Sequence, residues 1–482
     1  MARQPRDEAG PVLPVALRQS AGLKLLERTI FGGLLVLLAL TAIPYGTVEP
    51  WSEALFECGV WLLTLLWIVH GLFAGSWSFG NARLFYPLIA LVAFALVQSI
   101  ALWQTTAAGE KVWYAISADP FESRRFVLKV AALVLAGMLL TRYTTSKKRL
   151  SALVHLMIAI AMASAMFGIV RQSVQHRDGF FLPALRVGAG YAQFINRNHF
   201  SFLMEMAMGL VAGLMVVRSR KRERLPLYAA ALLALWTALV LANSRGGLLA
   251  MIVQLICAVI LFPIARQSYV HERTGDAQGI FRFARSFAGR AAMLTVVVAV
   301  VVAGVIWIGG DPLAATLESA SVEVGPADKN VMYEKVRRRD IWYATSLMFK
   351  AHPLAGAGFG GYWAEIPQYH DASGLMTPQQ AHNDYLEVLA SGGLIGFGLL
   401  VWFAAMLFKQ ARKALVSADP FYNAICFGAI ISLTGVAVHS IFDYGLHITL
   451  NALVFVALLA ILSLKPLKTK LAASEYPLPE SR

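Results

Sequence analysis

Chemistry in this chain gathers where polar residues interrupt apolar runs, above all at Ala381-His382-Asn383-Asp384-Tyr385-Leu386-Glu387. A histidine titrates near neutrality and can take a proton from a hydroxyl, a step worth roughly 10²–10⁴-fold in rate. Its acidic partner is left open among Asp384, Glu387 and the later Asp443. Arginines are the second ingredient. Arg186 and Arg197 bracket the segment Gly188–Asn196, Arg245 sits in Asn243-Ser244-Arg245-Gly246-Gly247 between two apolar runs, and Arg337-Arg338-Arg339 precede Asp340-Ile341-Trp342. The guanidinium fork matches phosphate oxygens and stays charged when partly desolvated. A base with such a set could activate a hydroxyl and neutralise an anionic leaving group.

Each of these residues has a plainer reading. Arg245 at a span boundary can snorkel toward headgroups, and the arginine triplet can be a solvated helix face. Arg338 gains weight because Trp342, four residues on, shares its face of a helix. Asn383, Tyr385 and Trp342 are read as substrate contacts beside His382, with Arg197 and Arg339 as further contacts, although most aromatics at span ends form an interface belt. His176, His199, His352 and His370 lack acidic or cysteine residues at ligand spacing, so neither a metal nor another cofactor is expected. Cys58, Cys257 and Cys426 lie within apolar runs and read as small buried residues.

The elements that must position this chemistry are membrane helices. Of the 482 residues, 58% are hydrophobic and 15% charged, which excludes an ordinary soluble protein. The net charge of +14 comes in short clusters between apolar runs, as topology signals do, which argues against nucleic acid as a partner. Runs long enough to span fall near Thr29–Ile43, Trp51–Phe73, Phe85–Trp103, Phe126–Leu140, Leu150–Val170 and Phe200–Val217. Others fall near Leu227–Ala242, Gly247–Ile264, Ala291–Gly309, Tyr385–Phe408, Phe421–Val438 and Ile448–Leu464. The expected fold is an all-α polytopic membrane protein with about twelve spans.

Alternate loops counted from the N-terminus hold about 27 of the 42 Lys and Arg, which puts both termini in the cytoplasm and the arginines above on the outer face. The expected organisation is a cytoplasmic segment 1–28 without a cleaved signal peptide and spans one to nine over 29–310. An external loop subdomain over 311–384, spans ten to twelve over 385–464 and a disordered tail 465–482 complete it. A helix over Ile341–Lys350 should stop at His352-Pro353, because proline disfavours the helical conformation in the residue before it.

Four motifs in order carry a family resemblance: Gly190-Tyr191-Ala192-Gln193-Phe194-Ile195-Asn196-Arg197-Asn198-His199-Phe200, Ser244-Arg245-Gly246-Gly247, Arg338-Arg339-Asp340-Ile341-Trp342 leading to His352-Pro353-Leu354-Ala355-Gly356-Ala357-Gly358, and Ala381–Glu387 followed by Gly392-Gly393-Leu394-Ile395-Gly396. Together they resemble the O-antigen ligase and O-antigen polymerase superfamily. The resemblance implies a GT-C-type glycosyltransferase of the bacterial inner membrane with its active site facing the periplasm. It also implies an undecaprenyl-diphosphate-linked O-antigen donor, His382, Arg245 and Arg186 as catalytic residues, and Arg338 next. Asn196-Arg197-Asn198 stands where many relatives have Asn-Pro-Asn. The reading is an O-antigen ligase that completes lipopolysaccharide on a lipid A-core acceptor, metal-independent and inverting. An O-antigen or exopolysaccharide polymerase, a protein O-oligosaccharyltransferase and, from another class, a transporter are the alternatives.

Overall fold

A computed structural model describes residues 21–105, 109–174, 190–218, 224–270, 338–369, 378–417 and 419–465, with isolated positions between 289 and 299. Its helices are α1 (Ala21–Leu40), α2 (Pro50–Ala74), α3 (Tyr86–Gln98), α4 (Pro120–Tyr143), α5 (Lys147–Val174), α6 (Arg197–Arg218), α7 (Leu225–Leu241), α8 (Arg245–Val270), α9 (Arg338–Ala351), α10 (Asp384–Leu415), α11 (Pro420–His439) and α12 (Thr449–Ser463). Among the described residues, seven helices are long and apolar enough to cross a membrane. Ala82–Gln98, α7 and α12 are shorter apolar helices. The protein is thus a helical polytopic membrane protein. The expected apolar runs coincide with helices except Ala291–Gly309, which lies largely outside the described residues, as do 1–20 and the tail 466–482.

Two helices start where local chemistry dictates. Asp119 and Asp419 each cap a helix whose first residue is proline, their carboxylates accepting the exposed backbone N–H groups of Phe121 and Glu122, and of Phe421 and Tyr422. The third expected span is corrected: its helix ends at Gln98, and the chain turns into an antiparallel hairpin, β1 (Leu102–Thr105) with β2 (Lys111–Tyr114). Trp103 and Trp113 are register partners in that ladder. The all-α expectation therefore needs this exception.

The most buried spans are α6 and α11, which pack on one another and on α8, with α12 completing the centre. Gln254 of α8 ties them, its Nε2 donating to the carbonyls of Glu205 and Ile431 at 3.0 Å each. Helix α9 stops at Ala351, immediately before His352-Pro353, as predicted.

The described part of 311–384 packs into the helices. α10 is broken at Gly393 (φ 59°, ψ −157°), a conformation that side chains rarely adopt. Backbone groups freed by the break are met by the loop 353–358. Leu394 N donates to Pro353 O at 2.9 Å, Ile395 N to Leu354 O at 3.2 Å, and Gly358 N to Ser391 O at 2.9 Å. Irregular backbone inside a spanning helix survives only when protein satisfies it in this way. Gln98 staples the junction: Nε2 donates to Ala355 O (2.6 Å) and Ser391 O (2.9 Å), and Oε1 accepts from Phe359 N (3.2 Å). A small core of Ala344, Met348, Tyr362, Ile366 and Ala390 seats α9 and the loop on α10.

Candidate active site

The segment before α10 is fixed from every side. Asn383 caps the helix, its Oδ1 accepting from Tyr385 N and Leu386 N at 3.0 Å each. Ala381 N donates to Glu387 Oε2 (2.9 Å), and Ala381 O accepts from Trp342 Nε1 (3.0 Å). Asp384 N donates to Ser440 O (2.9 Å), and the Tyr385 hydroxyl to Ala437 O (2.6 Å). Between these anchors His382 is held at φ +49°, a conformation costly for a residue with a Cβ. Strain of that kind persists only where the surroundings over-determine it.

His382 Nδ1 lies 3.3 Å from Asp443 Oδ1, and the imidazole meets the Tyr444 ring edge-on with centroids 4.8 Å apart. Asp443 is fully buried. Its Oδ1 also accepts from Tyr444 N (2.9 Å), while Oδ2 accepts from Asn198 Nδ2 and from Arg338 Nη2 (3.4 Å). Burial pushes the Asp443 carboxyl up, yet the His382 hydrogen bond and the positive charges of the neighbouring imidazoles and Arg338 outweigh it. They hold Asp443 well below the usual carboxylate range. Of the three acidic partners left open by the sequence, the geometry selects Asp443. Glu387 instead braces Ala381 N and lies 3.3 Å from His447 Nε2.

Arg338 and Trp342 share one face of α9 and grip the site at two points, the carboxylate of Asp443 and the carbonyl of Ala381. Arg339 is exposed on the outside of the same turn. Asn383 Oδ1, the Tyr385 hydroxyl and Trp342 Nε1 are hydrogen-bonded to backbone groups that brace the segment around His382. Arg245 opens α8, half-buried, with Ser244 Oγ accepting from Gly247 N at 3.2 Å. Gly246 is pressed against the His439 ring, where a Cβ would come within 2.6 Å of Cδ2. His439 is the last residue of α11, and its carbonyl accepts from Asp443 N at 3.1 Å, so the Arg245 turn abuts the chain end that carries Asp443. Arg197 is exposed at the start of α6, one residue before Asn198. Arg186 lies outside the described residues.

Sequence reasoning missed Asn198 and Tyr444 as site residues. Asn198 was within reach: Asn196 Oδ1 accepts from Asn198 N at 2.8 Å, a turn that Asn-x-Asn before an apolar helix signals. Tyr444, whose burial pushes its hydroxyl up to about 12, follows the short stretch after α11 with no pattern to mark it.

A strained histidine on a buried carboxylate, with arginines at the ends of apolar helices, makes a candidate acid–base site. The family model described as O-Antigen ligase matches residues 229–403, and this match supports membership of the O-antigen ligase/polymerase family. Members of that family are glycosyltransferase-like enzymes acting on polysaccharide and lipid-linked substrates. No curated protein matches the chain.

Proposed function

We propose that this protein is an O-antigen ligase, moving O-polysaccharide from undecaprenyl diphosphate to lipid A-core on the periplasmic side of the inner membrane, with both termini cytoplasmic. The observation that carries the chemistry is the His382–Asp443 pair with Arg338 on the same carboxylate. Asp443 accepts from Nδ1–H, which leaves Nε2 as the imidazole atom that can receive a proton. The acceptor hydroxyl oxygen attacks the anomeric carbon, its proton passes to His382 Nε2, and the bond to the diphosphate breaks with inversion of configuration. The departing diphosphate carries its charge to the arginines, with Arg245 and Arg186 leading and Arg197 and Arg339 as further contacts. Arg338 steadies Asp443 and stands beside them. Guanidinium groups alone supply the positive charge in this scheme, so no metal takes part.

The family match also fits a polymerase, which differs only in the acceptor. Purified protein given a polyprenyl-diphosphate-linked O-glycan and O-antigen-free lipopolysaccharide separates the readings on a gel. A ladder on lipopolysaccharide supports the ligase; lengthened lipid-linked glycan would make the protein a polymerase, and no transfer to either would remove the enzyme reading.

A further inference from the structure

A cavity of about 480 Å³ opens between α2, α4, the start of α10 and the Phe359–Trp363 loop. Its size is that of small-molecule pockets, about 300–1,000 Å³. Its walls are carboxylate-rich: Glu53, Glu57 and Glu122 on one side, Asp384 and Glu387 on the other. The cations Arg125 and Lys129 are engaged by those same walls. Arg125 Nη1 lies 2.8 Å from Glu122, and Lys129 Nζ lies 2.5 Å from Glu53 and 2.7 Å from His447 O. Glu53, Glu57 and Glu122 outnumber these two cations, so a diphosphate would find no unmatched positive charge on this wall.

Hydroxyl groups would meet acceptors. Each carboxylate offers two oxygens to neighbouring O–H donors. Gln380 Oε1, in the lining, is buried without a hydrogen-bond partner among the described residues. Buried acceptors are ordinarily satisfied, so this one is open to a donor from a guest. Trp363, 49% exposed, provides an apolar ring face of the kind that packs against the C–H face of a sugar.

The cavity adjoins the acid–base pair. The rings of His382, Tyr444 and His447 stand in file with centroids 4.8 and 5.6 Å apart, and His447 lines the cavity. Glu387 joins the two as well, bracing the residue before His382 with one oxygen and facing His447 with the other.

We propose that this cavity is the acceptor subsite, holding an unphosphorylated, hydroxyl-rich saccharide and turning away the donor's diphosphate; the inference rests on the glycosyl-transfer reading above. The test measures initial rates of the wild type, Trp363→Ala, Trp363→Phe and Glu57→Gln against each substrate, with O-antigen-free lipopolysaccharide as acceptor and polyprenyl-diphosphate-linked glycan as donor. Expected is an acceptor KM raised roughly tenfold in Trp363→Ala and Glu57→Gln with kcat within about twofold, donor KM unchanged, and recovery in Trp363→Phe. Phosphate-free core oligosaccharide should inhibit competitively against acceptor and not against donor. Melting curves of each purified variant show whether it is folded, and Glu57→Gln decides the matter if Trp363→Ala is not. A raised donor KM, or an unchanged acceptor KM in a wild type that does transfer glycan, overturns the subsite alone. A wild type that transfers nothing refutes the glycosyl-transfer reading and the subsite with it.

Discussion

His382 and Asp443, 61 residues apart in the chain, meet with Nδ1 3.3 Å from Oδ1 because the N-terminus of α10 is hydrogen-bonded to the turn that follows α11. Asp384 N on Ser440 O and the Tyr385 hydroxyl on Ala437 O make that junction. If the pair is the general base, His382→Ala should lower glycan transfer about 10²–10⁴-fold while the protein still melts cooperatively. Asp443→Asn keeps the shape and removes the charge, and should cost at least roughly tenfold. Transfer at the wild-type rate in either variant would remove the pair from the mechanism.

Arg338 and Arg339 should part company despite being neighbours. Arg338 reaches Asp443 at 3.4 Å, whereas Arg339 is exposed. Arg338→Ala should lower the transfer rate by at least roughly tenfold, and Arg339→Ala, which removes only an exposed further contact, by a clearly smaller factor. A double-mutant cycle of Arg338 with Asp443 should show coupling of about 0.5–3 kcal/mol. Additive effects would mean that their contact is incidental.

Gly393→Ala should destabilise the protein without touching the acid–base pair. The residue has φ +59°, and an added Cβ would lie 2.4 Å from the backbone of Leu354. The conformation alone costs about 1–3 kcal/mol in a residue other than glycine, and the overlap adds to it. A lowered melting temperature in detergent is the readout; an unchanged one would contradict the break in α10.

His447 should make the protein acid-sensitive. Burial first, then the charges of Lys129 and His199, lower its pKa from 6.5 to about 3, against the opposing pull of Asp443. Asp384 and Glu387 also face it, at 3.8 and 3.3 Å. Between those two pKa values the unfolded chain binds more protons than the folded one, so stability is full above pH 6.5 and falls as pH drops toward 3. His447→Gln cannot titrate. Its melting temperature should therefore fall less than that of the wild type between pH 7 and pH 4, and parallel curves would count against a neutral His447.

Chelation offers a separate check. With guanidinium groups neutralising the diphosphate, transfer should persist at an unchanged rate in excess EDTA. Loss in chelator with recovery on adding magnesium or manganese would call for a metal.

Much of this was legible because membrane burial writes itself into the chain as long apolar runs, and every helix from α1 to α12 except α9 falls on one. One mismatch is instructive: Trp103 was counted into a span because hydropathy cannot separate a membrane residue from a strand aromatic. His382 stood out as a titratable residue at the head of a span, and Arg338 through its spacing from Trp342. The choice of Asp443 was not legible, since pairing across 61 residues depends on how helix ends are tied together. Nor could spacing reveal that Asn383 Oδ1 and the Tyr385 hydroxyl are hydrogen-bonded to backbone groups. The cavity was hidden for the same reason, its walls coming from α2, α4 and α10.

The two grips of α9, Arg338 on Asp443 and Trp342 on Ala381, stand four residues apart on one helical face. This makes the protein unequally tolerant of changes in chain length. One residue added between them would swing one grip about 100° away from the other, since a turn takes 3.6 residues. The same addition beyond Ala351, outside the helix, alters no such phase. Natural relatives should accordingly keep the spacing from Arg338 to Trp342 free of insertions and deletions.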